Sequence, residues 1–458
     1  MGGMRMNLTL SAIANAVHGQ LLGNDVTATG VSIDTRTLQA GNLYIAIKGK
    51  QFDGHAFTAQ AENAGAAALL VSEANDSALP QILVDDTRLA LAELGAYWRS
   101  QLAVQVAGVT GSNGKTTVKE MIAAIFATQG HTLATQGNLN NDIGVPLTLL
   151  KLTPEHRYAV IEMGANHPGE IAYTSRLAQA KASVITNVGA AHIEGFGSIE
   201  GVAKTKGEII ENLAEDGVAV LNRDDGFYDY WRKLAAKRQT VSFGLSSEAE
   251  VRATHIVSRL ASSGFTTSFL LTAGGLSENI RLGLAGEHNV KNALAAAAVA
   301  MQFDIALSEI KLGLEQVKPV TGRMQPLLSR KGNIVIDDTY NANPTSLKAA
   351  LDSLDDAGNA WLVLGAFGEL GPDSAAMHSD MGHVIKNQGI ARLFAVGADA
   401  KHTVNAFGNG AEFFDTQEQL IQALDQASSG RETILVKGSR SQKMENVVAA
   451  LVDNFRAT

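Results

Sequence analysis

Short unbroken apolar runs recur along this chain, separated by stretches with helical spacing. From Leu8 to about Leu102, LYIAIKG, AALLVSE and QILVDD alternate with Ala-rich helical segments, and a helix over Leu89–Leu102 closes the set. Val104–Val109 is another run, followed at once by a Gly-rich turn and a helical pattern over Thr116–Ala127. YAVIEMG, ASVITNV, GVAVLN and QTVSFG continue as strands among helix-compatible sequence. Runs that are continuously apolar belong to strands buried on both faces, the habit of parallel sheets covered by helices. Residues 250–285 depart from it: β-branched and polar residues alternate between Gly-rich turns, as in SSGFTTSFLLTAGG, which predicts an antiparallel appendage. An Ala-rich helix over Val290–Met301 follows. After Pro319 the first rhythm restarts, with strands at NIVIDD, WLVLGA, RLFAVG, AEFFDT and TILVKG and helices over about 344–356, 374–388, 416–427 and 441–454.

The pattern predicts an α/β chain of three domains. A small α/β amino-terminal domain spans 1–102, a central mononucleotide-binding domain with a mostly parallel sheet spans 103–318, and a Rossmann-like, doubly wound domain spans 319–458. Length agrees: 458 residues exceed what one core supports and suit three domains of roughly 150 residues each. The absence of cysteine excludes disulfides, thiol nucleophiles and zinc–thiolate sites, and fits a reducing compartment. Net charge is −9 and the basic residues are scattered, which argues against a nucleic-acid or anionic-membrane partner. The amino end lacks the apolar core of a signal peptide, and Met6 stands where a myristoylation pattern wants Ser or Thr. Apolar runs such as Ala293–Met301 fall short of the roughly 18 residues a bilayer span needs. The expectation is a soluble, cytoplasmic monomer.

Ligands of doubly wound sheets lie beyond the carboxyl ends of the strands, so residues directly after each strand carry the chemistry. The strongest signal is Gly108-Val-Thr-Gly111-Ser112-Asn113-Gly114-Lys115-Thr116-Thr117. Its glycines let backbone N–H groups turn toward phosphate oxygens, the helix start adds its positive end, Lys115 reaches the outer phosphates and Thr116 offers a hydroxyl to Mg2+. A generic phosphate loop has Gly where this chain has Val109. Glu162 ends YAVIEMG and suits Mg2+; His192 follows ASVITNV in the same way. Lys206 in VAKTKGEII reads as a solvated helix lysine. Asn289 and Asn292 begin a helix, where asparagine either caps or reads an adenine edge. Arg323 precedes the third domain, Asp337 and Asp338 end its first strand, and Lys437-Gly-Ser-Arg440 ends its last strong one. Such groups suit phosphate, carboxylate or ribose contacts, although each alone reads as surface.

Together the segments GSNGKTT, GNLNNDIGVP (137–146), EMGANHPGEI (162–171), NVGAAHIEGFGSIEGVAKTKGEI (187–209), GEHNVKNALAA (286–296), TGRMQ and DDTYNANPTSLKAAL (337–351) resemble the Mur ligase family along nearly the whole chain. GANHPGEI and AHIEGFGS resemble its D-alanyl-D-alanine-adding branch, and the DNPR motif of the diamino-acid-adding branch is absent. One departure is AFGELG at 366–371, where the pattern has an Asp-Met pair before Glu-Leu-Gly.

The resemblance implies an ATP-dependent amide ligase with two Mg2+ ions, acting on UDP-N-acetylmuramoyl-tripeptide and D-alanyl-D-alanine through an acyl phosphate. It implies Gly111–Thr117 around the ATP phosphates, with Thr116, Glu162, His192 and Lys206 on the metals. Lys206 matches a lysine that reacts with carbon dioxide to form a carbamate, and Lys115, Lys206 and His192 become the catalytic set. Asn292 matches the adenine reader, Arg323 a phosphate contact and Asp338 the ribose partner. Ser32, Asp34 and Arg36, in SIDTRTLQAGNLYIAIKGKQFDGH (32–55), match the UDP-sugar domain, with Asn138, Asn141 and Lys437 as further substrate contacts. Closure of the third domain over the second follows, because water destroys an acyl phosphate. The rivals are another Mur ligase, a folylpolyglutamate synthase-like ligase, or a P-loop NTPase switch that makes no bond.

Overall fold

The computed structural model describes residues 6–49, 53–189, 193–261, 264–354 and 358–453, and their strands gather into three large sheets and one two-stranded pair. The first large sheet has five strands, ordered Gln20–Leu22, Gln81–Leu83, Ala68–Val71, Leu43–Ile45, Val31–Ser32. The second has nine, ordered Leu276–Leu282, Gly264–Ala273, Val251–Ala261, Gln239–Gly244, Val218–Asn222, Ala182–Ile185, Gln105–Thr110, Tyr158–Glu162, Thr132–Ala134. From Val251–Ala261 inward this sheet is parallel, and the two strands beyond are antiparallel, so the expected appendage is continuous with the main sheet. The third has six strands, ordered Gln325–Leu328, Ile334–Asp338, Thr433–Lys437, Ala360–Gly365, Arg392–Val396, Ala411–Phe414, of which only the first runs antiparallel.

The central strands are buried along their whole length, as their unbroken apolar composition requires. Pleating sends alternate residues to opposite faces. Val106, Ala159, Ile161 and Leu221 join one core, while Ala107, Val109, Val160 and Val220 join another under the helices Lys115–Ala127 and Gly286–Met301. The first of these cores runs without a break into the amino-terminal sheet through the helix Thr87–Ser100. Its Leu91, Leu94 and Trp98 are buried, and the Trp98 indole donates to Leu152 O at 2.9 Å. Gly95 on this helix lies so close that a Cβ there would sit 3.0 Å from Pro146 Cα. The third sheet has its own cores and meets the central unit through Phe265, Leu260 and Ala285.

Element ends differ most from expectation at three helices, while the helix expected over Leu89–Leu102 runs two residues earlier, Thr87–Ser100. The Ala-rich helix starts a turn early, at Gly286 with φ 72°, so Asn289 and Asn292 lie inside its first turns and cap nothing. The helix after Asn343 stops at Asp352. The last helix is broken: Lys443 takes φ 49°, dividing the short turn Arg440–Gln442 from Glu445–Leu451. Among the described residues no helix is long and apolar enough to cross a membrane.

Candidate functional site

The strand Gln105–Thr110 runs into the loop 111–114 and then the helix Lys115–Ala127. Gly111 has φ 146° and Gly114 φ 79°; a Cβ on the first would lie 1.9 Å from Thr186 Oγ1 and on the second 2.4 Å from Asn292 Oδ1. Only glycine fits either place. The segment after the neighbouring strand Ala182–Ile185 pins the loop. Ser112 N donates to Asn187 O at 2.9 Å, Asn113 N to Asn187 Oδ1 at 3.0 Å, and Thr186 Oγ1 to Asn113 O at 2.6 Å. The Lys115 ammonium is folded back on the loop, donating to Gly111 O at 2.8 Å and Ser112 O at 3.2 Å. Burial pushes its pKa down; Glu162 opposes the shift and Arg323 adds to it. The free N–H groups and positive end of the helix complete a cradle for phosphate.

Parallel register places Glu162 opposite Val109, so the carboxylate emerges level with the loop. Glu162 Oε1 accepts from Asn140 Nδ2 at 2.8 Å, whereas Oε2 is buried without a hydrogen-bond partner. An orphaned buried carboxylate oxygen is costly, and beside a phosphate cradle it suits a hard cation. Lys206, in the helix Ile199–Glu211, is 2% exposed, so its solvated reading is corrected: Val202, Ala203, Ile209 and Ile210 of the same helix pack inward with it. Its ammonium lies 5.5 Å from the Phe196 ring centre and has no ion pair among the described residues. Burial, then the Lys115 charge, lower its pKa to about 7 against the pull of Glu208 and Glu170. Lys206 does not line the cleft itself. His192 lies outside the described residues. Among the described residues no three His, Asp or Glu side chains group as a ready-made metal site.

The third sheet supplies the opposite wall. Arg323 lies with its guanidinium 4.2 Å from the Tyr340 ring centre and donates from Nη2 to Thr116 Oγ1 at 3.0 Å, while its Nε is buried without a partner. Asp338 and Lys437 are register neighbours on parallel strands, and they pair with each other: Lys437 Nζ lies 2.6 Å from Asp338 Oδ2. Asp338 Oδ1 accepts from Met324 N at 3.2 Å, and Lys437 Nζ also donates to Asn341 O at 3.1 Å. Asp337 points away from solvent, where burial raises its pKa. Asn343 caps the helix Pro344–Asp352 and donates from Nδ2 to Asn113 Oδ1 at 2.9 Å, tying the third sheet to the phosphate loop.

These walls enclose a cleft of about 760 Å3, within the range of small-ligand sites. Ser112–Thr117, Asn138, Asn141, Glu162, Asn292, Arg323, Asp338 and Lys437 all line it. Asn292 Nδ2 donates to Asn289 Oδ1 at 3.0 Å, and neighbouring His288 is held neutral, its pKa pushed to about 4 by burial with Asp338 opposing. Asn141 Oδ1 accepts from Gly144 N at 2.8 Å. Ser32, Asp34 and Arg36 do not line the cleft; they form a local turn on the first sheet. There Arg36 Nη2 lies 2.6 Å from Asp34 Oδ2 and holds that carboxyl at about 2. Sequence reasoning missed Asn140, Asn187, Tyr340 and Asn343. Asn187 and Tyr340 each lie two residues beyond a strand end, a signal that could have found them, and Asn140 lies between two asparagines that were singled out.

Three family models match the chain: Mur ligase family, catalytic domain, over residues 27–99; Mur ligase middle domain over 109–300; and Mur ligase, glutamate ligase domain, over 322–440. The UDP-N-acetylmuramoyl-tripeptide–D-alanyl-D-alanine ligase of Escherichia coli K12 is 45% identical, over 98% of this chain and 99% of its own length. The enzyme of the same name from Bacillus subtilis is 37% identical, over 97% and 98%. Among solved structures, MurF from Acinetobacter baumannii superposes with TM-score 0.91 at 37% identity, covering 97% of this chain and 99% of that one. MurF from Thermotoga maritima in complex with ADP superposes with TM-score 0.83 at 27% identity, covering 92% and 96%. The chain belongs to the Mur ligase family, whose members form carbon–nitrogen bonds using ATP.

Proposed function

We propose that this chain joins D-alanyl-D-alanine to UDP-N-acetylmuramoyl-tripeptide with consumption of ATP, in the cytoplasm, giving the pentapeptide precursor of peptidoglycan. The relatives that match the chain nearly end to end carry that activity in their names. The observation that carries the reading is the reach of Arg323, from the third sheet, to Thr116 of the phosphate loop across a cleft large enough for a nucleotide and a second reactant. A nucleotide switch needs no such second wall. We assign residues 1–102 to the UDP-sugar, through Ser32, Asp34 and Arg36; 103–318 to ATP; and 319–458 to the incoming dipeptide and to closure.

In the reaction, an oxygen of the tripeptide's terminal carboxylate attacks the γ-phosphorus, the bond from that phosphorus to the bridging oxygen breaks, and ADP departs. Lys115 leaves its loop carbonyls for the phosphates, and the loop amides and Arg323 balance the charge that builds there. The dipeptide amine then attacks the acyl phosphate carbon and loses a proton; collapse breaks the carbon–oxygen bond, phosphate leaves and an amide remains. Thr116, Glu162 with its free Oε2, and His192 would hold Mg2+, joined by Lys206 as a carbamate. Mg2+ when bound supplies charge neutralisation at the phosphates. A lysine whose pKa is near 7 presents a neutral amine at physiological pH, the form that reacts with carbon dioxide. Phosphate release is the test: it requires ATP, magnesium, the sugar nucleotide and the dipeptide together, and release that continues without the dipeptide overturns the proposal.

A further inference from the structure

Among the described residues Arg323 has no carboxylate partner; an aromatic face fixes its plane. The Tyr340 ring centre is 4.2 Å from the guanidinium carbon, within the range of a strong cation–π contact. Two loops are sewn together to bring this about. Tyr340 N donates to Gly322 O at 3.0 Å, and Gly322 has φ 74°, where a Cβ would lie 3.2 Å from Tyr340 N and 3.3 Å from Tyr340 Cβ. The residue before Arg323 must therefore be glycine for the tyrosine to slide beneath the guanidinium. The tyrosine hydroxyl makes no hydrogen bond among the described residues, and the contact with Arg323 is through the ring face. Among the described residues the fork has one distal bond, to Thr116 Oγ1.

We infer that Tyr340 is a positioning residue for the phosphoryl-transfer step. It holds the Arg323 guanidinium flat while the fork exchanges the Thr116 hydroxyl for a terminal-phosphate oxygen. The inference rests on the proposed ligase reaction and adds a residue to it. A stacked, pre-oriented guanidinium loses little freedom on meeting phosphate, so the benefit falls on the transition state more than on ATP binding.

The test uses the full-length enzyme with its complete substrate set. Tyr340→Leu lowers kcat about tenfold with KM for ATP changed less than about twofold, and has no further effect in an Arg323→Ala background. Tyr340→Phe, which keeps the face, stays within about threefold of wild-type kcat. Replacing Tyr340 with phenylalanines carrying increasing numbers of fluorines weakens the face without changing its shape, so kcat falls stepwise; this series also covers a leucine variant that fails to fold. A flat series, a change confined to KM for ATP, or a Tyr340→Leu effect that multiplies with that of Arg323→Ala overturns the inference. Wild-type enzyme that releases no phosphate would instead sink the ligase reading, so the two failures are distinguishable.

Discussion

Arg323 donates to the Thr116 hydroxyl at 3.0 Å, so two residues 207 positions apart close the cleft at its phosphate end. That hydroxyl cannot serve the guanidinium and a metal equally, and the proposed reaction needs it for the metal. Thr116→Ala is therefore expected to cost little stability, within about 1 kcal/mol for one half-buried hydrogen bond. It should lower kcat/KM for ATP by about a hundredfold or more, as the loss of a group acting on the transition state does. Thr116→Ser should retain most of the activity. Urea unfolding and phosphate release on the same preparations decide it; a stability loss as large as the activity loss would make the hydroxyl structural.

Gly111 separates two effects that often coincide. Its φ of 146° strains any side chain, and its absent Cβ leaves room for Thr186 Oγ1, which donates to Asn113 O at 2.6 Å. Gly111→Ala should destabilise the protein by about 2–4 kcal/mol through strain and overpacking together. Adding Thr186→Ala removes the clash but not the strain, so it should recover only part. Recovery of the whole loss, read from unfolding midpoints, would show that the backbone tolerates the conformation.

Much of this site could be read before the fold was known, for a physical reason. A phosphate cradle is local: two glycines, a lysine and a helix start adjoin in sequence, and Gly111–Thr117 says so unaided. Parallel strands such as Ala360–Gly365 are buried throughout and so spell themselves as apolar runs. What could not be read depends on distant neighbours. Lys206 looks like any helix lysine until Trp231 and Phe196 pack against its helix, with the Trp231 indole donating to Ala203 O at 3.0 Å. Asn289 looked like a cap because asparagine caps helices well, but the helix starts at Gly286, where Ser353 Oγ from the third domain lies 2.3 Å from where a Cβ would be, a contact no local pattern reveals. The pairing of Asp338 with Lys437 joins residues 99 apart in sequence, and no spacing rule announces it.

His378 gives a pH prediction away from the cleft. Its Nε2 accepts from Phe367 N at 3.1 Å, in the loop that departs from the family pattern, and Nδ1–H donates to Ser374 O at 2.8 Å. The ring is held neutral, and burial lowers its pKa despite the opposing Ser374 carbonyl and Asp399. The unfolded chain, with a histidine near 6.5, binds the proton that the folded one refuses. Stability from this residue is therefore intact above about pH 6.5 and declines as pH falls toward the lowered folded value. His378→Gln should shift stability by a constant and flatten its slope below about pH 6.5, measured by urea titrations. An unchanged slope would mean that the folded ring takes up the proton.

Closure should be confined to the third domain, because the first is not free to move. Leu91, Leu94 and Trp98 carry one apolar core from the amino-terminal sheet into the central one, and the contact of Gly95 with Pro146 leaves no slack. The third sheet's apolar junction with the central unit, at Phe265, Leu260 and Ala285, instead lies on the appendage and the helix start, where it can serve as the hinge. The sheet meets the phosphate loop through single polar bonds, Arg323 to Thr116 and Asn343 to Asn113. Such bonds are exchanged for ligand contacts at small net cost, whereas opening a packed core costs far more. The chain has no cysteine, so introduced pairs can be spin-labelled without background. With labels at the exposed positions Ala74, Glu155 and Asn409, a non-hydrolysable ATP analogue plus the sugar nucleotide should leave the 74–155 distance unchanged and shift the 409–155 distance. Movement in the first pair would show that the shared core yields, and stillness in both would remove closure as the means by which water is kept from the acyl phosphate.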